Sequence, residues 1–269
     1  MTEQPTATSR PSDDASTVRV RVDGPVATIT LNAPERLNAL DVPMLRDLLE
    51  SVQRLDADPR VRVIGLAGSG RGFCSGADIG TGDLADAGLD GTLYALGDLA
   101  RAMIASDTPL VALVHGVAAG AGLSIALACD YVLASDRASF VLAFARIGLM
   151  PDGGATALVA ANIGRARAMR MALTGEKVDA TTAERWGLVS ELVAHKDFDA
   201  RAAALLEELA GRGPLAAAAT RQAINAATLD LDGALTREEA GQSRLLGTSD
   251  FAEGVTAFRE KRSARFSGA

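Results

Sequence analysis

The chain has 269 residues, of which 48% are hydrophobic and 23% are charged, a balance typical of a globular protein with a sizeable core. Its 27 basic and 34 acidic residues give a net charge of −7, which argues against nucleic acid or an anionic membrane surface as a partner. No run of 18 apolar residues occurs, so the sequence predicts no transmembrane helix.

Cysteine and histidine usage points to a reducing compartment and to a site without metal. The two cysteines, Cys74 and Cys129, are too few for a disulfide framework, so we expect a cytoplasmic protein. The two histidines are far apart in the chain and no cysteine accompanies them in a cluster. We therefore expect neither a zinc site nor any other resident cofactor.

The first half of the chain predicts a tail, a hairpin and the start of an alternating pattern. Residues 1–16 are rich in Thr, Ser, Pro and Asp, which predicts a disordered tail. Alternating valines, turn residues, apolar periodicity and glycines then predict the elements that follow. In order they are strands at 18–22 and 26–31, a helix starting at Asp41, a strand at 61–67, a glycine-rich loop at 68–82 and a weak helix ending near 105.

The cycle of strand, glycine-rich turn and helix then repeats, which predicts an α/β fold. The repeat comprises strands at 110–114, 131–134 and 139–141, a glycine-rich turn at 116–122, and helices at 123–129 and from 151–154 to about 161. After residue 197 only helices are predicted, at 198–209, 215–227, 231–246 and 250–265. Asp250 and Glu253 predict a capping box for the last of them. We interpret 17–196 as the core and 197–269 as a helical region.

Two glycine-rich turns each follow a predicted buried strand, at residues 72–78 and 116–122. Small residues at such turns let a ligand approach backbone N–H groups closely. Neither turn matches a dinucleotide fingerprint or a phosphate-binding Walker loop. Each alone is equally explained as a tight connection between a strand and a helix. Together they indicate an oxyanion hole that takes one N–H from each turn.

Several motifs in order resemble the enoyl-CoA hydratase/isomerase (crotonase) superfamily. The two signature segments are RGFCSGAD at 71–78 and PLVALVHGVAAGAGL at 109–123. Further matches are LNAL at 37–40, IGLMPDGG at 147–154, LTG at 173–175, WGLV at 186–189 and FREKR at 258–262. The resemblance covers about residues 18–266.

This resemblance implies a crotonase-like spiral of ββα units whose C-terminal helices form a trimerisation region. Members are homotrimers or dimers of trimers, bind an acyl-CoA thioester as substrate, and stabilise its enolate. The positions matching the two oxyanion-hole donors are Ala77 and Ala121, which act through their backbone N–H groups. Alanine at 121 serves this purpose provided that its φ is negative.

The sequence departs from the hydratase pattern at the two positions that carry acid/base chemistry. Hydratases of the superfamily have a glutamate just after the second glycine turn and another eight residues before the Asp of the PDGG segment. The matching residues here are Ser124 and Phe144. Ser124 without a neighbouring histidine is a poor base, and Phe144 transfers no proton. The sequence therefore disfavours ordinary hydration.

Asp152 is the remaining candidate acid/base. The resemblance places it where dienoyl-CoA isomerases carry an aspartate and a dehalogenating branch carries a nucleophile. One carboxylate suffices to take a proton from one carbon and return it to another. An aspartate before Gly-Gly and a helix is also typical of an N-cap, and both roles stay open here.

Other positions match the superfamily's substrate site with less specificity. Arg36 lies near the family's nucleotide site, and Lys261, in the predicted last helix, matches a residue that reaches the CoA phosphates. Asp78 is expected chiefly to hold its own loop. The remaining predicted binding positions are Asn38, Ala39, Cys74, Ser75, Gly76, Ile79, Gly120, Ser124 and Phe144.

Three functions remain open from the sequence. The first is an enoyl-CoA double-bond isomerase that uses Asp152. The second is a non-catalytic acyl-CoA-binding protein that has lost both glutamates, and the third is an enoyl-CoA hydratase with weak or relocated chemistry.

Overall fold

The computed structural model of the protein describes residues 16–79 and 89–269. The predicted tail, apart from its last residue, and the end of the predicted loop at 68–82 lie outside the described residues.

A six-stranded sheet forms the centre of the fold. Its strands, in their order across the sheet, are β1 Val18–Asp23, β2 Val26–Leu31, β3 Val63–Gly68, β4 Leu110–Val114, β6 Tyr131–Ser135 and β9 Glu191–Val193. The predicted hairpin is confirmed as β1 paired antiparallel with β2, and the later neighbours are parallel. The strands β5 Val117–Ala119, β7 Ser139–Val141 and β8 Lys177–Asp179 form a second sheet, in the order β5-β7-β8.

Helices connect and cover these sheets. They are α1 Val42–Asp56, α2 Leu89–Ala105, α3 Ala121–Ala128, α4 Ala155–Thr174, α5 Ala180–Trp186, α6 Phe198–Ala210, α7 Pro214–Thr228, α8 Leu231–Leu246 and α9 Ser249–Arg259. Short 3-10 turns lie at Pro34–Arg36, Ala143–Ile147 and His195–Asp197. The predicted start of α1 is confirmed, because the Asp41 side chain accepts the Met44 N–H at 2.8 Å.

Apolar side chains fill both faces of the large sheet, which positions the strand ends that carry the glycine-rich turns. The larger core lies under α1, α2 and α3 and includes the buried residues Leu48, Leu66 and Leu99. On the other face, Phe198 and Leu205 of α6 pack against buried valines of β3 and β4. Because both faces are buried, the central strands are almost continuously apolar, as expected for parallel strands.

Some predicted boundaries are wrong for identifiable reasons. The turn at 116–122 contains β5, and α3 begins two residues earlier than predicted. Helix α4 runs to Thr174 and not to about 161, with a kink at Gly164, whose φ of 75° is not helical. The short elements β8, α5 and β9 were not predicted, since two three-residue strands and a seven-residue helix carry too little periodicity to detect.

The predicted capping box at Asp250 is also wrong. Thr248 caps α9 by accepting the Phe251 N–H at 3.1 Å. Asp250 instead accepts the backbone N–H groups of Ser267 and Gly268. The helix ends at Arg259, so Lys261 lies beyond it.

Within residues 16–79 and 89–269, no helix is both long enough and apolar enough to cross a lipid bilayer.

Candidate active site

A cavity of about 370 Å³ lies where the two glycine-rich turns meet the start of α4 and the end of α8. Most of the predicted site residues line it. They are Arg36, Ala39, residues 75–79, Gly120, Ala121, Phe144 and Asp152. The other four, Asn38, Cys74, Ser124 and Lys261, are not in contact with it.

The first turn is held by a buried asparagine behind the cavity wall. The Asn38 Nδ2 group donates to the carbonyl oxygens of Ser69, Gly72 and Phe73, each at 3.0 Å, and its Oδ1 accepts the Ala33 N–H at 2.9 Å. Asn38 is therefore a scaffold of the turn and not a wall of the cavity.

A parallel bridge between Leu40 and Ala77 orients the Ala77 amide. Leu40 donates its N–H to the Gly76 carbonyl at 2.8 Å and accepts the Asp78 N–H at 2.9 Å. In a parallel bridge the amide of the intervening residue faces the opposite side. Among the described residues, the Ala77 N–H has no hydrogen-bond acceptor.

The second turn brings another unpaired amide to the same wall. Gly120, with a φ of 51°, precedes α3, and Ala121 is its first helical residue. The described part of the chain provides no acceptor for the Ala121 N–H, as is usual in the first turn of a helix. Ala121 lacks a positive φ, which meets the condition set from its sequence.

The two turns touch each other through Gly76. A Cβ at this residue, which has a φ of 98°, would lie 2.9 Å from the Ala119 carbonyl oxygen and 3.5 Å from the Ala121 nitrogen. Only glycine tolerates this conformation and approach without strain. The N–H groups of Ala77 and Ala121, both without an acceptor in the described parts of the chain, thus belong to adjoining segments of one cavity wall.

An ion-pair cluster ties the first turn to the loop before α1. Arg36 contacts Asp78 at 2.7 Å and Asp41 at 2.8 Å. Asp78 was expected to hold its own loop, and this contact shows that it also joins that loop to a distant segment.

Asp152 is not the cap of α4, so the N-cap role that the sequence left open for it is wrong. The N-cap residue is Gly154, with no capping side chain of its own. Glu238 of α8 takes the capping role, because its carboxylate accepts the N–H groups of Gly154 and Thr156 at 2.7 and 2.8 Å and the Thr156 hydroxyl at 2.6 Å.

The Asp152 carboxyl lines the cavity in a buried, mostly apolar environment. Its Oδ2 accepts a hydrogen bond from Gln242 Nε2 at 2.9 Å. Its Oδ1 is buried and has no hydrogen-bond partner among the described residues. Burial raises the pKa of Asp152 to about 7, the Gln242 hydrogen bond opposes that rise, and the nearby Glu238 carboxylate adds to it. Such a pKa suits a group that accepts and returns a proton near neutrality.

The match to known families covers nearly the whole chain. The family model described as Enoyl-CoA hydratase/isomerase matches residues 21–269. The chain belongs to the enoyl-CoA hydratase/isomerase family.

Individual members of the crotonase superfamily are similar over their full length. A probable enoyl-CoA hydratase of Rhodobacter capsulatus is 43% identical over 94% of this chain and 98% of that protein. A 1,2-epoxyphenylacetyl-CoA isomerase of Escherichia coli is 40% identical over 92% and 97%. The crystal structure of an enoyl-CoA hydratase from Mycobacterium avium subsp. paratuberculosis superposes with a TM-score of 0.88 at 45% identity, covering 94% and 99%. The predicted crotonase-like α/β fold is thereby confirmed.

Within this crotonase-superfamily site, neither position matching a hydratase glutamate carries an acid. Ser124 is fully buried, and its hydroxyl donates to the Asp152 carbonyl oxygen at 2.8 Å. Phe144 lines the cavity, and its ring tip lies 3.7 Å from where a Cβ of Gly120 would be. Ser124 therefore supports the backbone of Asp152, and Phe144 makes that wall apolar.

The thiol in the first turn, that of Cys74, is expected to be unreactive. Cys74 is buried, and its Sγ lies 3.2 Å from the Asn38 carbonyl oxygen. Burial raises the pKa of the Cys74 thiol to about 12, which leaves almost no thiolate at neutral pH.

The C-terminal helices supply cavity residues that sequence reasoning missed. Gln242 and Leu246 of α8 and Phe258 of α9 line the cavity, whereas Lys261, with a φ of 54°, follows the end of α9. A usable signal existed in α8, where Glu238 and Gln242 interrupt an otherwise apolar face at a spacing of four residues. Polar residues on a buried face require polar partners.

Proposed function

We propose that the protein is an enoyl-CoA double-bond isomerase in which Asp152 carries the proton. The observation behind the proposal is the Asp152 carboxyl, which is buried in the cavity wall with a pKa raised to about 7. Ala77 and Ala121, whose N–H groups have no acceptor among the described residues, line the same cavity. This combination offers a base and an oxyanion hole but no second carboxylate at the hydratase positions.

In the proposed reaction, a 3-enoyl thioester binds with its carbonyl oxygen between the two amides. The Asp152 carboxylate removes a proton from C2, and the C2–H electron pair forms a C1–C2 double bond as negative charge moves to the oxygen. The resulting dienolate takes the same proton back at C4, and the double bond moves to C2–C3. Nothing is oxidised or reduced and no mass is gained.

The expected contributions are large enough for useful catalysis. One oxyanion-hole donor is worth about 2.7–4 kcal/mol of the barrier. A positioned acid/base contributes about 10²–10⁴-fold. Water is not a reactant here, so the apolar surface that Phe144 adds to the cavity suits isomerisation better than hydration.

Two other functions compete with this proposal. Hydration is supported by the name of the Rhodobacter capsulatus relative, and Ser124 and Phe144 argue against it. Binding without turnover is supported by the loss of both glutamate positions, and the raised pKa of Asp152 argues against it. The Escherichia coli relative is named for the isomerisation of 1,2-epoxyphenylacetyl-CoA, which makes a ring-bearing thioester a second substrate to assay.

The test incubates the purified protein with 3-enoyl-CoA, 2-enoyl-CoA and the ring-bearing thioester, followed by ultraviolet absorbance and mass spectrometry. We expect conversion of 3-enoyl-CoA at unchanged mass, and a loss of about 10²–10⁴-fold in kcat in Asp152→Asn. Asp232→Asn is the matched control, because Asp232 lies on the surface of α8 with a side chain that is 87% exposed.

The other outcomes identify the competing functions. A mass gain of one water with wild-type protein would establish hydration in place of isomerisation. Tight binding of the thioesters without any product would establish a binding protein. Full activity of Asp152→Asn would leave the family assignment intact and remove Asp152 from the mechanism.

A further inference from the structure

Asp152 has one polar side-chain partner among the described residues, and that partner comes from the helical region. Gln242 of α8 donates from Nε2 to Asp152 Oδ2 at 2.9 Å. Gln242 is 2% exposed and also lines the cavity. A neutral amide donor at this distance favours the charged form of the carboxyl without contributing a charge of its own.

The orientation of the Gln242 amide is set by a backbone group. Gln242 Oε1 accepts the Met150 N–H at 3.2 Å. Because a backbone N–H bonds to the oxygen of the amide and not to its NH₂ group, Nε2 must face Asp152. Gln242 therefore connects Met150 and Asp152 in the segment that precedes α4. The oxygen and the NH₂ group of its amide cannot exchange places.

Glu238, one turn earlier on α8, fixes the other end of that segment. Its three hydrogen bonds to Gly154 and Thr156 occupy the N-terminus of α4. An aspartate just before a helix is ordinarily drawn to those N–H groups. With Glu238 occupying them, the Asp152 carboxyl remains at the cavity with Gln242.

Helix α8 also packs closely against this segment. A Cβ at Gly241 would overlap the Met150 Sδ, so a larger residue there would require the Met150 side chain or the helix to shift. The position of Gln242 relative to Asp152 is thus set by contacts on both sides.

We propose that Gln242 is a positioning residue for the reaction, holding the Asp152 carboxyl through Oδ2 in the orientation in which it exchanges the proton with the acyl chain. This inference rests on the proposed isomerase function. Gln242 itself gains and loses no proton. Glu238 is the neighbouring charged group that acts on Asp152.

The experiment compares Gln242→Met with wild type. The methionine retains length and apolar volume but has no N–H donor. We expect kcat at pH 7 to fall about tenfold or more, with KM within about twofold. The loss of a hydrogen bond to a charged group, about 1.5–3 kcal/mol, corresponds to a rise of about one unit or more in the Asp152 pKa.

The Asp152 pKa is measured separately from turnover, by NMR titration of protein labelled with ¹³C at the aspartate carboxyl carbons. The resonance of Asp152 is assigned by its absence in Asp152→Asn. The matched control is Gln222→Leu, which removes a Gln Nε2 to Asp107 Oδ1 hydrogen bond of 2.7 Å on the surface of α7. We expect the control to change neither the titration nor kcat.

A second variant, Gln242→Asn, keeps an amide but withdraws it by one methylene. We expect Gln242→Asn also to raise the Asp152 pKa. The positioning role can therefore be tested even if Gln242→Met folds poorly. An unchanged Asp152 titration in folded Gln242 variants would overturn the positioning role. Absence of isomerisation by wild type would instead overturn the proposed function, and the titration would still show whether Gln242 sets the Asp152 carboxyl.

Discussion

The cavity has two walls that use aspartate in opposite ways. On the backbone wall, formed by the two glycine-rich turns, Asp78 of the first turn pairs with Arg36 at 2.7 Å and joins two loops. On the side-chain wall, formed by the start of α4, Asp152 has a neutral partner, Gln242, and one buried oxygen that has no hydrogen-bond partner within residues 16–79 and 89–269. The same side chain is thus structural beside a cation and, in the proposed function, the acid/base in an apolar environment.

The two walls also differ in the groups that they present to the cavity, which are backbone amides on one and a carboxyl side chain on the other. The backbone wall presents amides, and its polar side chains are occupied in holding those amides, as Asn38 shows with its hydrogen bonds to four backbone groups. The side-chain wall presents a side chain whose burial is unfavourable in its charged form. One wall is therefore expected to be sensitive to backbone changes and the other to pH.

The strongest test of the backbone wall is Ala121→Pro. Proline lacks an N–H but is well tolerated at the first position of a helix, so the change removes one proposed donor at limited cost to folding. We expect kcat for isomerisation to fall about 10²–10³-fold, or about 2.7–4 kcal/mol. Steady-state kinetics with 3-enoyl-CoA measures the loss, and circular dichroism checks the fold.

Ser249→Pro is the matched control, because Ser249 is an exposed first residue of another helix, α9. We expect it to leave kcat within about twofold of wild type. A folded Ala121→Pro protein with wild-type kcat would show that this amide does not bind the thioester oxygen.

The side-chain wall is tested by the pH dependence of stability in Asp152→Asn. The folded-state pKa of about 7 lies above the ordinary value of 3.8, so the folded protein binds this proton more tightly than the unfolded chain does. The associated stability is present below pH 3.8 and is lost as pH rises to about 7. Asparagine is uncharged and avoids this loss.

We therefore expect Asp152→Asn to gain about 2–3 kcal/mol in free energy of unfolding, relative to wild type, between pH 5 and pH 8. Urea denaturation of both proteins at the two pH values, at equal protein concentration, measures the difference. Parallel stability curves for the two proteins would mean that Asp152 ionises at an ordinary pH and that the two walls do not differ in this respect.

Sequence reasoning recovers the backbone wall better than the side-chain wall, and the reason is sequence distance. Both turns are marked by local glycines, and the family motifs whose resemblance points to Ala77 and Ala121 lie within the same two segments. The partners of Asp152 are not local: Gln242 is 90 residues away, and Glu238 is 84 residues from Gly154. The choice between cap and acid/base for Asp152 depended on those contacts, which no local pattern contains.

Local helix-capping preferences also led to a wrong prediction at α9, where two residues could cap the same helix. Asp250 with Glu253 matches a capping box, yet Thr248 caps α9, and Asp250 binds the backbone at Ser267. Lys261 continues a charged helical pattern in sequence but lies past the helix end with a φ of 54°. In both cases the backbone after residue 259 turns back, and a helical pattern cannot foresee that turn.

The variant Glu238→Ala tests whether the cap that α8 supplies to α4 keeps the environment of Asp152 different from that of Asp78. We expect Glu238→Ala to lower the free energy of unfolding by about 2 kcal/mol, since it leaves the Gly154 and Thr156 N–H groups without their acceptor. Glu239→Ala is the matched control on the same helix, because Glu239 forms a partly exposed ion pair with Arg101 at 3.2 Å that is worth less than about 1 kcal/mol.

The same variant is expected to lower the Asp152 pKa for two reasons. The nearby Glu238 carboxylate that raises it is gone, and the freed N–H groups attract the ionised Asp152 as a substitute cap. Asp152 would then resemble Asp78, charged and structural, and isomerase activity would fall although the carboxylate is still present. A stable Glu238→Ala protein with an unchanged Asp152 titration would show that the Glu238 cap does not contribute to the difference between the two walls.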